Sequence, residues 1–298
     1  MNIGNIINIQ DIHSYVIEDI KYGGMGEIYK LKKNKKNSDF VFTFKDVMAV
    51  KTYRDNVFDK QYERAFEKEL NAWISLSNEY IVPLKLIFNT NNKVMALMPW
   101  FDMNLSEYLN TIDQITLSDV KQIAISISIA LDYADKRFGM IHRDIKPENV
   151  LISTHNNNVH YYVSDWGISS INTANYLVNN VSNAQGTIVG AGTPGYMSPE
   201  RMNGEENRIN GDIFSIGMII YRAIFKKLPY ESSNVNAIKT DIITGKYFNK
   251  VLSDTAKIDR KLATVVLKCL DPNSNKRYSG YKNLIKDKRI LIVDDVYT

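Results

Sequence analysis

The chain has 298 residues, of which 44% are apolar, so it is long enough for one large domain or two lobes of ordinary domain size. The net charge is only +4, from 37 basic and 33 acidic residues, which argues against a nucleic-acid partner. A single cysteine excludes a disulfide framework and fits a reducing, cytoplasmic compartment. No leader-like or bilayer-length apolar stretch stands out, so we expect no membrane partner.

The first elements in the chain are strands around a glycine-rich stretch. Residues 15–20 alternate like a strand and run into KYGGMG at residues 21–26. Glycines between two strands let backbone amides approach phosphate oxygens, although this stretch alone favours a plain hairpin turn. Residues 47–51 then form an apolar strand that ends in Lys51. A lysine at a strand end usually faces solvent, so a functional role for Lys51 depends on a partner carboxylate.

The next elements supply that carboxylate. Residues 59–77 show apolar residues at helical spacing, which predicts an amphipathic helix with Glu67 and Glu69 as the candidates. Residues 93–98 predict another strand. Further on, we expect a long helix capped by Ser118 and ended by Gly139.

The octet HRDIKPEN at residues 142–149 has the layout of a phosphoryl-transfer loop. Such a reaction needs little covalent chemistry from the protein and much placement of charge. Asp144 would accept or orient the proton of an incoming hydroxyl, Lys146 would lie near the transferred phosphate, and Asn149 would hold a metal ion. The octet resembles the catalytic loop of eukaryotic-type protein kinases, and the lysine in it resembles their Ser/Thr-directed branch.

The resemblance assigns a nucleotide site to the first part of the chain. KYGGMG is similar to the loop G-x-G-x-x-G of the family and of bacterial Ser/Thr kinases, with Lys21 in place of the first glycine. The resemblance implies that Gly23, Gly24 and Gly26 contact the phosphates of ATP. It also implies that Lys51 reaches the α- and β-phosphates.

Resemblance to the family also favours Glu69 over Glu67 as the partner of Lys51, because Glu69 lies twelve residues before Ile81. The pair would hold the lysine extended and would open when the helix swings away. Around the adenine, the resemblance implies a hinge in which Pro99 offers its carbonyl and Phe101 its amide. The other residues implied to line the adenine site are Ile28, Ala49, Met98 and Leu151.

A second group of motifs follows the catalytic loop. In Asp165-Trp166-Gly167, which resembles the family's D-F-G, Asp165 would bind Mg²⁺ or Mn²⁺. We expect Trp166 to pack against Trp73 and His142. In GTPGYMSPE at residues 192–200, Thr193 would hydrogen-bond the catalytic Asp and Lys.

Two further pairings follow from the resemblance. Glu200 would pair with a buried Arg277, and Asp212 would brace the backbone of the catalytic loop. Residues 168–188 resemble an activation segment, and Arg143 supplies a cation that a phosphate there could pair with. We expect Thr187 to be the autophosphorylated residue.

The expected fold is α+β: a bilobal protein kinase with a small antiparallel β-sheet N-lobe carrying one regulatory helix and a larger, mainly helical C-lobe. Residues 1–14 would be an N-terminal extension, 15–101 the N-lobe, 102–287 the C-lobe and 288–298 a C-terminal tail. The expected reaction transfers the γ-phosphate of ATP to Ser or Thr hydroxyls of protein substrates.

Two alternatives remain at this point. A nucleotide-binding scaffold without catalysis is supported by Lys21, Trp166 and Pro99. A small-molecule phosphotransferase is the other, and GTPGYMSPE together with Arg277 argues against it, since that apparatus docks polypeptides. Nothing in the sequence indicates an oligomeric state.

Overall fold

The first lobe is built on a six-stranded antiparallel sheet in the order β1-β2-β3-β4-β6-β5. The computed structural model of the chain describes residues 1–9, 13–22, 26–34, 46–53, 60–90, 93–155, 158–166, 194–205, 208–232 and 234–287. The strands are β1 (Ile6–Ile9), β2 (His13–Tyr22), β3 (Gly26–Lys33), β4 (Val47–Tyr53), β5 (Leu86–Thr90) and β6 (Lys93–Pro99).

Strand β1 adds residues that we expected outside the lobe. It pairs antiparallel with β2, which begins two residues earlier than the predicted strand, and Ile7 lies opposite Tyr15. Ile7 and Ile9 are buried and join Tyr15 and Ile17 in a separate apolar cluster on one face of the sheet. The alternation in IINI explains this, because only one face of β1 is buried. Part of the predicted extension is thus sheet.

One helix of this lobe, α1 (Lys60–Ile74), packs against the other face of the sheet. Its buried residues Phe66, Leu70 and Trp73 recur at helical spacing. The Trp73 indole donates a hydrogen bond to the Val82 carbonyl at 2.8 Å, which fixes the C-terminal end of the helix. The helix ends three residues before the predicted boundary.

The second lobe is mainly helical, with a small three-stranded sheet next to the first lobe. The strands are β7 (Met103–Asn104), β8 (Val150–His155) and β9 (Asn158–Val163), and the helices are α2 (Leu105–Thr111), α3 (Leu117–Phe138), α4 (Pro199–Met202), α5 (Ile209–Phe225), α6 (Val235–Ile243), α7 (Tyr247–Thr255), α8 (Arg260–Cys269) and α9 (Tyr281–Ile285).

Helix α3 begins earlier than expected. Its N-cap is Thr116, whose side chain accepts from the Asp119 amide while the Asp119 carboxylate accepts from the Thr116 amide. The predicted cap Ser118 is wrong because it lies inside the first turn. Gly139 ends the helix with φ 62°, as expected.

Helix α5 is the central element of this lobe, with most of its residues buried. Gly217 permits a close crossing with α8, since a Cβ there would lie 2.6 Å from the Cβ of Cys269. Across the part of the chain that the structure describes, we find no helix with both the length and the apolar character needed to cross a bilayer.

Candidate active site

Asp144 lies at the centre of a hydrogen-bonded group in loop 142–149. Lys146 Nζ donates to Asp144 Oδ2 at 2.8 Å, and Asn149 Nδ2 donates to the same oxygen at 3.1 Å and to the Asp144 carbonyl at 2.8 Å. Burial opposes the charge on Asp144, but the nearby positive groups, chiefly the ammonium of Lys146, together lower the pKa of the carboxyl. Asp144 is therefore ionised at neutral pH, and Oδ1 accepts no hydrogen bond from the described residues.

Asp212, at the start of α5, fixes the backbone that leads into Asp144. The amides of His142 and Arg143 donate to its two carboxylate oxygens at 3.0 and 2.9 Å, as the sequence predicted. The Tyr281 hydroxyl adds a third donor at 2.9 Å. These bonds hold Arg143 at φ 67°, a left-handed conformation that costs a non-glycine residue about 1 kcal/mol.

Ser164 joins the same loop to the end of β9. Its amide and its hydroxyl both donate to the Asn149 carbonyl, at 2.9 and 3.0 Å. The His142 ring donates from Nε2 to the Ser164 carbonyl at 2.8 Å. Asp165 follows directly, with φ 62°, so these bonds bring Asp165 beside the catalytic loop.

Trp166 is almost completely buried and anchors this turn. Its indole N–H donates to the Val163 carbonyl at 3.0 Å, and its ring meets His142 edge-on with centroids 4.9 Å apart. The predicted contact with His142 is confirmed. Trp73 and Trp166 belong to the same buried apolar cluster but form no ring pair among the described rings, so direct packing between them stays a prediction. Trp73 lies beside Lys51, whose Nζ is 5.8 Å from its ring centroid.

Lys51 contacts a different carboxylate from the predicted one. Its Nζ lies 2.6 Å from Asp165 Oδ1. Lys51 and Glu69 are both among the described residues, and no ion pair within 4.0 Å joins them. The Oε1 atom of Glu69 is buried and has no hydrogen-bond partner among the residues that the structure describes. Burial raises the pKa of Glu69 to about 8, against a smaller opposing effect of Lys51. The expected pair is absent because Asp165 lies within reach of the ammonium and accepts it.

Strands β3, β4 and β6 form the wall of the cleft above these groups. Lys51 lies opposite Ile28 on one side, and Ala49 lies opposite Met98 on the other. Paired residues, and residues two apart in one strand, share a face of a sheet. The four residues expected on the nucleotide side therefore lie on one face.

The hinge residues connect this wall to the second lobe. Pro99 ends β6 opposite Met48, where a missing N–H breaks no inner ladder bond. Phe101 packs against Tyr162, with ring centroids 5.2 Å apart. Tyr162 pairs with Leu151 across the small sheet, so Phe101 and Leu151 lie close together.

The glycine-rich stretch is described at its two ends. A Cβ at Gly26 would lie 2.5 Å from the Thr52 carbonyl oxygen, so the close approach of β3 to β4 requires glycine there. Lys21, in place of the first glycine, extends its Nζ over the Trp100 ring at 5.2 Å and towards Glu107 at 3.8 Å. Lys21 thus contacts both the hinge and α2 of the second lobe.

Asn149 and Asp165 offer oxygen donors suited to a hard cation. The Asn149 amide nitrogen is bonded to Asp144, which leaves its side-chain oxygen as an acceptor. The described residues contain no group of three or more His, Cys, Asp or Glu side chains able to hold a metal ion. Two donors fit Mg²⁺, which keeps several waters and commonly shares phosphate oxygens of the substrate.

The predicted pair of Glu200 and Arg277 is confirmed. The guanidinium nitrogens of Arg277 lie 2.8 and 3.1 Å from the two carboxylate oxygens of Glu200, and Nη1 also donates to the Asn210 carbonyl at 3.0 Å. Arg277 is buried. This bidentate pair fixes the start of α4 against the rest of the lobe.

A family model described as the protein kinase domain matches residues 16–288. The chain belongs to this family. The two lobes, the antiparallel first sheet and the helical second lobe are those expected of a kinase, and the predicted fold class is confirmed.

Curated relatives of this kinase domain are named as serine/threonine-protein kinases. It is 24% identical to "Serine/threonine-protein kinase PknD" of Protochlamydia amoebophila over 94% of this chain and 30% of the relative. It is 25% identical to "Probable serine/threonine-protein kinase PknB" of Lactococcus lactis over 91% and 41%, and 26% identical to "Serine/threonine-protein kinase D" of Synechocystis over 96% and 54%. The chain therefore spans about a third to a half of the length of these curated relatives.

Several predicted residues of the kinase domain lie outside the described residues. They are Gly23, Gly24, Thr187 and Thr193, together with the predicted tail 288–298. Conversely, Ser164, Tyr281 and Arg201 were missed by sequence reasoning, although Arg201 donates to the carbonyl of Arg143. A hydroxyl residue directly before Asp165 was a usable signal for Ser164. Tyr281 lies 69 residues from Asp212, and no local pattern connects them.

Proposed function

We propose that this kinase domain transfers the γ-phosphate of ATP to Ser or Thr hydroxyls of protein substrates. The observation that carries the proposal is the Asp144 carboxylate, which is ionised, is held by Lys146 and Asn149, and has one oxygen that accepts no hydrogen bond from the described residues. A carboxylate in this state can accept the proton of an attacking hydroxyl. The names of the relatives support the Ser/Thr class.

In the proposed reaction the substrate hydroxyl oxygen bonds to the γ-phosphorus, the bond from that phosphorus to the β,γ-bridging oxygen breaks, and ADP leaves. Asp144 takes the hydroxyl proton, and Lys146 stabilises charge on the transferred phosphoryl group. Lys51 would orient the α- and β-phosphates, with Glu69 as its partner once α1 moves towards it. Asn149 and Asp165 would hold Mg²⁺ or Mn²⁺, which neutralises phosphate charge when bound.

The nucleotide would lie against the face of β3, β4 and β6 described above. In this proposal Gly23, Gly24 and Gly26 approach the phosphates. Met98, Pro99 and Phe101 contact the adenine, with Ile28, Ala49 and Leu151 as its apolar walls. Thr193 would hydrogen-bond Asp144 and Lys146.

Regulation by phosphorylation is part of the proposal. Thr187 would be autophosphorylated and would pair with the Arg143 cation. Mass spectrometry of active protein should find phosphate on Thr187, and Thr187→Ala should lower activity. An unmodified Thr187 with undiminished activity of Thr187→Ala would remove this part alone. We also propose a cytoplasmic site of action, supported by the single, buried, unpaired cysteine.

The test is incubation with radiolabelled ATP and Mg²⁺, with casein and myelin basic protein as probes and Asp144→Ala as control. We expect label on Ser or Thr of the protein or of a probe, and none with Asp144→Ala. Binding of ATP without any label transfer, on the chain itself or on either probe, would contradict the proposal and would favour a scaffold.

A further inference from the structure

Two ion pairs between described residues join the first lobe to the second, and they differ in depth. Lys51 and Asp165 form the inner pair, whose side chains are only 6% and 23% exposed. Lys21 and Glu107 form the outer pair, in which Nζ lies 3.8 Å from Oε1 and the side chains are 43% and 49% exposed. The inner pair consists of groups that the proposed reaction uses, whereas the outer pair has no role in that reaction.

The sheet places the proposed nucleotide site between these two pairs. Ile28 of β3 lies opposite Lys21 on one side and opposite Lys51 on the other. Paired residues share a face of a sheet, and adjacent strands are about 4.8 Å apart, so the two lysine backbones lie about 10 Å apart on the face that carries Ile28. A nucleotide resting on Ile28 therefore has one ion pair on its inner side and the other at the mouth of the cleft.

Glu107 is held in place for its contact with Lys21. It belongs to the capping box of α2, where its Oε2 accepts from the Asn104 amide at 2.8 Å and its own amide donates to Asn104 Oδ1 at 2.9 Å. The other carboxylate oxygen, Oε1, is the one that faces Lys21. Because the cap already fixes this side chain, the pair costs less conformational entropy than a pair of two free surface side chains.

Trp100 of the hinge supports Lys21 from below. Its indole Nε1 donates to Asp102 Oδ1 at 3.0 Å, which orients the ring. Lys21 Nζ lies 5.2 Å and Lys30 Nζ 5.3 Å from the ring centroid, both within the range of a cation–π contact. Lys30 has its own carboxylate partner, Glu18, at 3.0 Å. Lys21 is thus held by the hinge and by α2 at once, although it belongs to β2.

We propose that Lys21 and Glu107, with Trp100 as their platform, form a clasp across the mouth of the nucleotide cleft that slows the release of the nucleotide. Because the pair reaches from β2 to α2 on the exposed side of the proposed site, it has to open before a nucleotide leaves. The glycine that the family pattern has at this position carries no side chain that could reach α2. This inference rests on the proposed function, because it concerns release of ATP or ADP from the proposed nucleotide site.

The test is a stopped-flow measurement of the dissociation of a fluorescent ADP analogue in the presence of Mg²⁺. At about 0.1 M salt we expect Lys21→Gln and Glu107→Gln each to raise the dissociation rate by about threefold, which is within the range of an exposed ion pair. Glutamine at position 107 keeps the capping box, so that variant removes only the charge. The double variant should release the analogue no faster than either single variant, because both changes remove the same contact.

Two further measurements separate a clasp from a general loss of positive charge. At about 1 M salt, where the Debye length is about 3 Å, the wild type and Glu107→Gln should release the analogue at the same rate. Lys32→Gln is the matched control, since Lys32 lies 3.5 Å from Glu18 within the first lobe and should leave the rate as in the wild type. If Lys32→Gln accelerates release as much as Lys21→Gln does, net charge is responsible and the inference fails.

Direct binding of Lys21 to the nucleotide is the competing explanation. In that case Lys21→Gln would accelerate release while Glu107→Gln would leave the rate unchanged or lower it, and this result would overturn the inference. Equal rates in the wild type and both single variants would overturn it as well, without affecting the proposed function. If the wild type binds no ADP analogue at all, the proposed nucleotide site fails and the clasp fails with it, so the two failures are distinguishable.

Discussion

Two parts of the cleft differ in how well their charges are satisfied: the floor, which is loop 142–149 with the start of α5, and the wall, which is strands β3, β4 and β6 together with helix α1. On the floor, Asp144 accepts from Lys146 and Asn149, and Asp212 accepts from two amides and a hydroxyl. On the wall, Glu69 has a buried oxygen that accepts no hydrogen bond from the described residues, and Lys51 contacts Asp165 instead. The floor is therefore already arranged for phosphoryl transfer. On the wall, the expected pair of Lys51 and Glu69 forms only if α1 shifts.

This difference has a structural origin. The floor is a short loop between α3 and β8, held to the start of α5 by hydrogen bonds to its own backbone. The wall depends on one helix, α1, whose position relative to β4 is set by side-chain packing. A shift of the helix can move Glu69 towards Lys51 without breaking any hydrogen bond of the floor, so we expect activity to be controlled at the wall.

The largest effect should come from breaking the floor. Asp144→Asn removes the proton acceptor while it preserves the size of the side chain. We expect kcat for phosphate transfer to fall by about 10³-fold or more, since a positioned base contributes about 10² to 10⁴. Steady-state assays would measure this, with the exposed Asp113→Asn as control. A kcat of the Asp144→Asn variant within about tenfold of the wild-type kcat would contradict the assignment of Asp144 as the proton acceptor.

The next effect concerns the free energy of unfolding and the pair of Arg277 and Glu200 in the second lobe. Arg277→Met leaves Glu200, whose side chain is only 14% exposed, without its bidentate partner, which should cost about 3 to 5 kcal/mol. Urea unfolding measures the loss. Lys136→Met, which removes an exposed pair with Asp132 in α3, should cost less than about 0.5 kcal/mol. Equal costs for the two variants would show that burial of the Glu200 pair does not matter.

A smaller effect sharpens the description of the wall. Because burial raises the pKa of Glu69 to about 8, the folded protein retains a proton that the unfolded chain loses at lower pH. Wild-type stability should therefore fall, relative to Glu69→Gln, as pH rises from the ordinary carboxyl range towards about 8. The change should be at least about 2 kcal/mol, since each unit between the two pKa values is worth about 1.4 kcal/mol.

Urea unfolding of both proteins across that pH range measures the difference. The exposed neighbour Glu67 supplies the control, since Glu67→Gln should keep the pH dependence of the wild type. Parallel curves for the wild type and Glu69→Gln would mean that Glu69 is charged and paired in solution.

The smallest effect concerns the turn between floor and wall. Trp166→Phe keeps an aromatic ring against His142 but loses the indole bond to the Val163 carbonyl. That carbonyl still accepts from the Val82 amide at 3.0 Å, so we expect a loss of only about 1 kcal/mol in unfolding free energy. Thermal unfolding would detect it. If Trp166→Phe lowers the unfolding free energy as much as Arg277→Met does, the bond from the Trp166 indole to the Val163 carbonyl stabilises more of the protein than this turn.

Sequence reasoning reached the floor more completely than the wall. Residues 142–149 lie within one octet, and its chemistry requires particular residue types at fixed spacing, so Asp144, Lys146 and Asn149 were found together. Glu200 and Arg277 lie 77 residues apart, and only the family resemblance connected them. The predicted partner of Lys51 was wrong. Pairing with Glu69 depends on the position of α1, which helical periodicity does not specify.

The smaller errors have local causes. Ser118 is an acceptable cap by residue type, but the reciprocal bonds of Thr116 and Asp119 fix the boundary two residues earlier. Strand β1 was overlooked because four residues are a short sample of alternation, and burial by β2 decides their structure. Arg201 and Tyr281 act on backbone and carboxylate groups far along the chain, which no spacing rule reveals.

Strand β1 also bears on how this domain is produced in the laboratory. A fragment trimmed to residue 16, where the family match begins, would lose β1 together with the buried Tyr15. The next strand would then present open amide and carbonyl groups beside a partly stripped apolar cluster, a combination that promotes aggregation. Expression of the domain should therefore retain its first residues.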